Sequence, residues 1–385
     1  QMHKKMLWVS RKAHRIPDPE RRAEALDHVW AGQCNCPYWH GVFGGIYLFH
    51  IREANYQHLI TAEAIADEVR YGPGPWAYVE QVDFDADTRE EVVIGTPHQW
   101  LLISPHLGGQ LLEWDRRDAA LNLLNAMTRH REGYHQVLLE AAARGEIVRT
   151  GEEGRLESIH THRVRVKEYG LEERLIVDWY RRTGLIDHVV APETSLMDFY
   201  RAQHAEWGDF VNQPYERIAL ETEPVPRIVL RRDGHVWEPG GARPLRLEKT
   251  LEVLPDRPLL RVTYRATPLG LSPIRARFGV EINWGMSGGD SDKAYTVWPD
   301  GELRPFATLE ELPEADELAI VNEWWGRILI RLDRPARWWQ FPVEAVSNSE
   351  AGFERVYEGT SLTALWDLAL SPGESWEVTM EFELA

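Results

Sequence analysis

The sequence predicts a multidomain chain in which a short α-helical bundle is followed by a large antiparallel β-sandwich. Apolar residues recur at helical spacing up to about residue 71, Gly72-Pro73-Gly74-Pro75 then breaks the pattern, and beyond it short alternating segments return at regular intervals. With 385 residues, a prior of about 150 residues per domain allows two or three units. The division is placed at 1–71 and 72–385.

Met2, Met6 and Val9 share one face of a first helix that ends before Pro17. The chain opens on Gln1 inside this helix, so it reads as a fragment or processed product. A second helix follows Asp18-Pro19, with Ala23, Leu26 and Trp30 in register, and stops at Gly32. Residues 46–69 read as one long helix or two end to end, with Leu48, Ile51, Leu59, Ala62 and Ile65 inward. Strands are expected at 77–84, 91–95, 100–103, 159–166, 220–225, 246–253, 259–265, 275–282, 318–321, 326–332, 336–341 and 375–382. Helical excursions are expected at 121–129 and 134–144, and a surface loop at 285–293.

With 43 Lys+Arg against 61 Asp+Glu, the net charge is −18. No run of basic residues accompanies it, which argues against nucleic acid or a membrane as main partner. The two cysteines, Cys34 and Cys36, cannot make a disulfide framework. No apolar segment has the length of a membrane span and no signal-peptide pattern appears, so a cytoplasmic protein is expected. Seventeen tryptophans exceed what a core needs. Those beside polar residues, Trp284, Trp324, Trp325, Trp338 and Trp339, are candidates for stacking on sugar rings. Adjacent strand residues point to opposite faces, so about half of these are expected to be core.

The segment Gln33-Cys34-Asn35-Cys36-Pro37-Tyr38-Trp39-His40 packs thiols, amides and aromatics between two helices. A zinc site from Cys34, Cys36 and His40 is disfavoured, because one intervening residue is tighter than the usual ligand spacing. Burial beside a core tryptophan is expected of Cys34. Trp39 reads equally as core, and His40 as a residue bonding nearby backbone. Nucleophile-elbow, HExxH, Walker and dinucleotide motifs are absent. Among 61 acidic residues, spacing cannot choose a glycosidic acid pair. Asp290-Ser291-Asp292 is a weak calcium signal, and neither a bound ion nor a cofactor is expected.

Residues 33–52, QCNCPYWHGVFGGIYLFHIR, closely resemble the helical part that follows the catalytic barrel in glycoside hydrolase family fifty-seven, of the 4-alpha-glucanotransferase and alpha-amylase type. Residues 103–109, Glu113-Trp114-Asp115, residues 122–135 and residues 181–188 resemble that subgroup's C-terminal domain. The resemblance implies a sandwich of galactose-mutarotase-like (supersandwich) type. It also implies a partner β/α barrel on the same gene product that supplies a glutamate nucleophile and an aspartate acid/base for retaining action on alpha-1,4-glucans. No catalytic residue is therefore expected within this chain, which alone should be inactive. Asn35, Cys36, Trp39 and His40 are expected to line the edge of the glucan site. Many relatives have aspartate where Cys36 stands, and a thiol is a poorer acceptor. The competing class is a noncatalytic carbohydrate-binding or structural sandwich. A homodimer is a further expectation.

Overall fold

In the computed structural model, which describes residues 1–41, 43–151 and 163–385, three helices come first: α1 (Met2–His14), α2 (Pro19–Ala31) and α3 (Phe49–Tyr71). Asp18 starts α2 by accepting the Arg21 backbone N–H at 2.7 Å, with Pro19 in the first turn, where no N–H is needed. The buried face of α2 differs from the expected stripe. Ala25 and Val29 are buried, whereas Ala23 and Trp30 face solvent, because α2 packs against both α1 and α3. Along α3, Leu59, Ala62 and Ile65 face inward, Leu48 and Ile51 are only half-buried, and Gly72 at φ 73° ends the helix.

Strands β1 (Tyr78–Val82), β2 (Glu91–Gly95), β3 (Gln99–Ser104), β4 (Gln110–Arg116) and β5 (Leu121–Asn122) form an antiparallel meander in chain order. This sheet is a middle layer. Val93, Trp100, Leu102 and Leu112 pack against the helices, while Ile94, Leu101, Ile103 and Trp114 join the core of the second sheet. The helices thus share this sheet with the sandwich and do not close a core of their own.

The chain continues through α4 (His135–Arg144), β6 (Ile147–Arg149), β7 (Val164–Val166), β8 (Ile186–Val190) and α5 (Leu196–Tyr200). The strand expected at 159–166 lies partly outside the described residues; β7 is its described end. No helix forms at 121–129. After β5 the chain is held between β4 and a later strand: Leu123 N–H bonds Trp114 O, and Leu123 O accepts Gly285 N–H, both at 2.8 Å. A Cβ on Gly285 would stand 2.2 Å from Ala126 N, so this slot has no room for a helix.

The remaining strands are β9 (Glu216–Glu221), β10 (Arg227–Glu238), β11 (Gly241–Val253), β12 (Leu259–Pro268), β13 (Ile274–Trp284), β14 (Ala294–Val297), β15 (Leu303–Pro305), β16 (Glu310–Asn322), β17 (Gly326–Ser349), β18 (Gly352–Leu370) and β19 (Trp376–Leu384). Among the described residues they make, with β6 to β8, a 14-stranded sheet that is antiparallel except at β7. The two strands expected at 326–332 and 336–341 are one: β17 runs 24 residues. Its residues 328–332 pair with β19 and its residues 337–349 with β18, so the sheet folds over along it into two leaves. Phe278 on β13 meets Tyr264 on β12 at 5.4 Å and Trp376 on β19 at 5.5 Å, which closes the core between the leaves. Residues 285–293 are not wholly a surface loop: Met286 is 2 % exposed, and solvent is reached at Asp290, Asp292 and Lys293. The expected class, a helical bundle followed by a large antiparallel sandwich, is the one observed. No helix among the described residues is long and apolar enough to cross a membrane.

Candidate functional site

The turn after α2 is tied at both ends. Tyr38 OH donates to Gly32 O at 2.6 Å, and Asn55 Nδ2 on α3 donates to Cys34 O at 3.0 Å. Burial pushes the Tyr38 hydroxyl up to about 12, so it stays a donor. Ile46 N–H returns to Trp39 O at 2.9 Å. That closure depends on Gly45, at φ 52°, where a Cβ would stand 2.2 Å from Trp39 O. The result holds Trp39 open to solvent at 54 % exposed, and Phe43 is 70 % exposed.

Behind the turn, His40 packs between Tyr47 and Tyr134, with ring centroids 5.6 and 5.0 Å away. Tyr47 OH donates to Glu132 Oε1 at 2.5 Å, and burial together with this bond holds the hydroxyl far above its usual range. His135 fixes the same segment: its Nδ1 accepts Glu132 N–H at 3.1 Å, which leaves Nε2–H to donate to Val346 O at 2.8 Å. Arg52 joins the layers. Its guanidinium donates to Ile46 O, to Asn125 O and Oδ1, and to Glu358 Oε2 at 2.6 Å. Burial raises Glu358 to about 7 in spite of Arg52, and burial raises Glu53 to about 7 as well.

Along this junction run three adjoining hollows of about 620, 200 and 110 Å³. The outer one is lined by His3, Gln33, Asn35 and Tyr38; the middle one takes in Arg52, Tyr56 and Asn125; the inner one reaches Asn122, Arg181 and Thr183. Amides, hydroxyls and guanidinium groups of this kind read sugar hydroxyls. Among the described residues, no aspartate or glutamate lines these three hollows. Asn35 lines the outer hollow; Cys36 and Trp39 are exposed and His40 is half-buried, and none of these three lines any of the hollows. Arg52, Tyr56, Asn125 and Arg181 were invisible in the sequence as site residues, because they come from helix and loop positions far apart in the chain.

Several expectations are corrected by burial. Cys34 is exposed and not packed beside a core tryptophan. Trp284, Trp338 and Trp339, at 1, 2 and 1 % exposed, offer no face to a sugar. Trp284 packs on Trp114 at 5.9 Å, and Trp338 donates its Nε1–H to Ala315 O at 3.1 Å. Trp339 points the other way along β17 yet is also buried, because Phe199 of α5 covers it at 5.3 Å. Trp324 and Trp325 sit in the turn between β16 and β17; Trp324 is 51 % exposed with the Lys293 ammonium 5.8 Å from its ring, and Trp325 is half-buried.

Residues 83–380 match the family described as alpha-amylase/4-alpha-glucanotransferase, C-terminal, and residues 1–66 match its middle domain. Alpha-amylase 1 of Dictyoglomus thermophilum is 32 % identical over 389 aligned residues, which take in 99 % of this chain and 52 % of that protein. The 4-alpha-glucanotransferase of Thermococcus litoralis is 34 % identical, over 95 % of this chain and 49 % of its own length. The crystal structure of that transferase superposes with a TM-score of 0.75 at 29 % identity, covering 100 % of this chain and 49 % of the solved one. A galactose mutarotase-like protein from Clostridium acetobutylicum superposes over 81 % of the chain and 98 % of its own, at 10 % identity and a TM-score of 0.44. The chain spans about half the length of the curated relatives it matches.

Proposed function

Because the chain belongs to the alpha-amylase/4-alpha-glucanotransferase family, we propose that residues 1–385 form the part of an alpha-1,4-glucan-acting enzyme that completes the substrate cleft and braces a β/α barrel lying outside them. The observation that carries this reading is the groove between α3, β4 and the segment 122–128. Beside apolar side chains such as Ile46, Leu112 and Met127, its walls carry amides, tyrosines and arginines that read hydroxyls, and among the described residues no carboxylate lines it. Retaining cleavage needs two carboxyl groups flanking the bond, so the barrel is proposed to supply them. Asn35, Cys36 and Trp39 would stand at the edge of the cleft, with His40 holding the turn from behind. Transfer between glucans is proposed in place of hydrolysis where an acceptor sugar outcompetes water. The division at Gly72 belongs to the same proposal, as do a cytoplasmic location and a homodimer; light scattering on the purified chain reads the last.

Mixing the 385-residue chain with maltoheptaose is expected to give no new product lengths. Turnover by a pure sample that one acid-to-amide change inside the chain abolishes would refute this division of labour. A binding isotherm on the same sample distinguishes the competing class: saturable binding of maltoheptaose without the barrel identifies a carbohydrate-binding module.

In the complete enzyme, Trp39→Ala is expected to raise KM for maltooligosaccharides about tenfold with a smaller change in kcat, as for loss of one stacking wall. Steady-state kinetics checks it, and unchanged constants would assign Trp39 a packing role only.

A further inference from the structure

His188 stands on β8. His204 and Glu206 stand on the segment after α5, which returns beside β8 through a bridge from Glu206 to Val190 and through the N–H groups of Trp207 and Gly208 on Val189 O. The side chains of His188 and His204 are 0 % exposed and that of Glu206 is 10 % exposed. One ligand atom of each lies within 4.8 Å of the others. His204 is the anomaly that calls for a ligand. Among the described residues, neither of its buried ring nitrogens has a hydrogen bond, and Nε2 faces Glu206 Oε2 only at the long distance of 3.5 Å. Its ring is stacked on Phe199 at 4.5 Å and cannot turn outward for water.

We propose that His188, His204 and Glu206 bind one divalent transition-metal ion of the zinc type, with a water as its fourth ligand. Two imidazoles and one carboxylate suit Zn²⁺, whereas Ca²⁺ and Mg²⁺ take oxygen ligands. The outer shell is in place: His188 Nε2 is 3.0 Å from Glu281 Oε2, and Glu206 Oε1 accepts Val189 N–H at 2.6 Å. Such partners orient metal-bound imidazoles and carboxylates. The ion replaces the proton shared by His188 Nδ1 and Glu206 Oε2, now 2.8 Å apart. That proton leaves to solvent, and the two atoms part by a few tenths of an ångström to reach zinc bonds of about 2.0–2.1 Å. Bound there, the ion fastens the segment after α5 to β8 and so holds Phe199 over Trp339.

The test takes the full 385-residue chain, stripped with a chelator and titrated with ZnCl2 by calorimetry, with thermal midpoint as a second readout. One ion per chain is expected, with a rise in midpoint that CaCl2 and MgCl2 do not give. His204→Gln should weaken uptake at least about 100-fold. The pair His28 and His58, with Nδ1 atoms 2.9 Å apart on α2 and α3, is the competing zinc binder, so His58→Gln should leave uptake unchanged. If His204→Gln fails to fold, Co²⁺ added to the parent chain decides: a strong four-coordinate visible band supports the site, and a weak six-coordinate spectrum overturns it. No uptake, uptake that survives both His204→Gln and Glu206→Gln, or uptake lost in His58→Gln also overturns it.

Discussion

Replacing Lys5 by methionine is expected to destabilise the protein by about 3–5 kcal/mol, the usual result of removing one side of a buried ion cluster. Lys5 is fully buried on α1. Its ammonium stands 2.7 Å from Glu63 on α3 and 2.6 and 3.2 Å from Asp115 and Glu113 on β4, and it lies 3.3 Å from the Trp100 ring centroid. Burial alone would lower its affinity for a proton, but the three carboxylates outweigh it and hold the ammonium well above its usual range. Methionine keeps the stem's volume and leaves those carboxylates facing one another in an apolar layer. Lys12, 2.9 Å from Glu63, reaches one of them only. The expected record is a lower urea midpoint, with hydrogen exchange rising first in α1 and α3. The pH sign follows from the same geometry. Burial already raises Asp115 and Lys5 holds it down, so without Lys5 the native state keeps a proton there that the unfolded chain releases, and the variant regains stability as pH falls from 7 towards 5. A loss below about 1 kcal/mol, or none of that recovery, would show that packing alone seats the helices on the first sheet.

The helices were legible because local signals agreed: Asp18-Pro19 starts α2, and Gly72 ends α3. The strands at 91–95 and 100–103 were legible for the same reason. What stayed hidden was set by layers. β18 is buried along most of both faces, so its residues 358–366 show no alternation and it was missed as a strand. Trp338 and Trp339 were read as one inside and one outside, but the excursion carrying α5 covers the second face. The site suffered most. Its exposed rim, Asn35, Cys36 and Trp39, could be picked out as a dense local run. Its floor joins Arg52 to Asn125, 73 residues on, and to Glu358, 306 residues on, and no local pattern announces such a contact. Gly285 likewise looked like loop composition, when its lack of a Cβ serves the passage of residues 125–126.

Arg52→Met should have an effect of the same size, about 3–5 kcal/mol, and should report on the groove itself. The guanidinium pairs with one oxygen of the buried Glu358 carboxylate, whose other oxygen has no hydrogen-bond partner among the described residues, and it holds Asn125 O and Ile46 O at once. Its removal leaves an acid on β18 without a counter-ion and frees both the Trp39 turn and the segment 122–128. Glu358→Gln made in the same chain removes the orphaned charge, so the double variant should recover more than half of the loss. A double-mutant cycle measures that coupling directly. The sign with pH is again fixed. Glu358, already raised to about 7 by burial, rises further without Arg52, so Arg52→Met alone loses least near pH 5 and most above pH 7, while the double variant keeps only the smaller dependence of Glu53, which Arg52 also holds down. In the complete enzyme proposed above, the double variant should still show a raised KM for glucan, because the amide and carbonyl groups that Arg52 positions are no longer held even when the charge problem is solved. A double variant with parental KM would instead mean that the backbone of residues 122–128, wedged against Gly285, sets the groove's shape unaided, and that Arg52 serves only to neutralise Glu358.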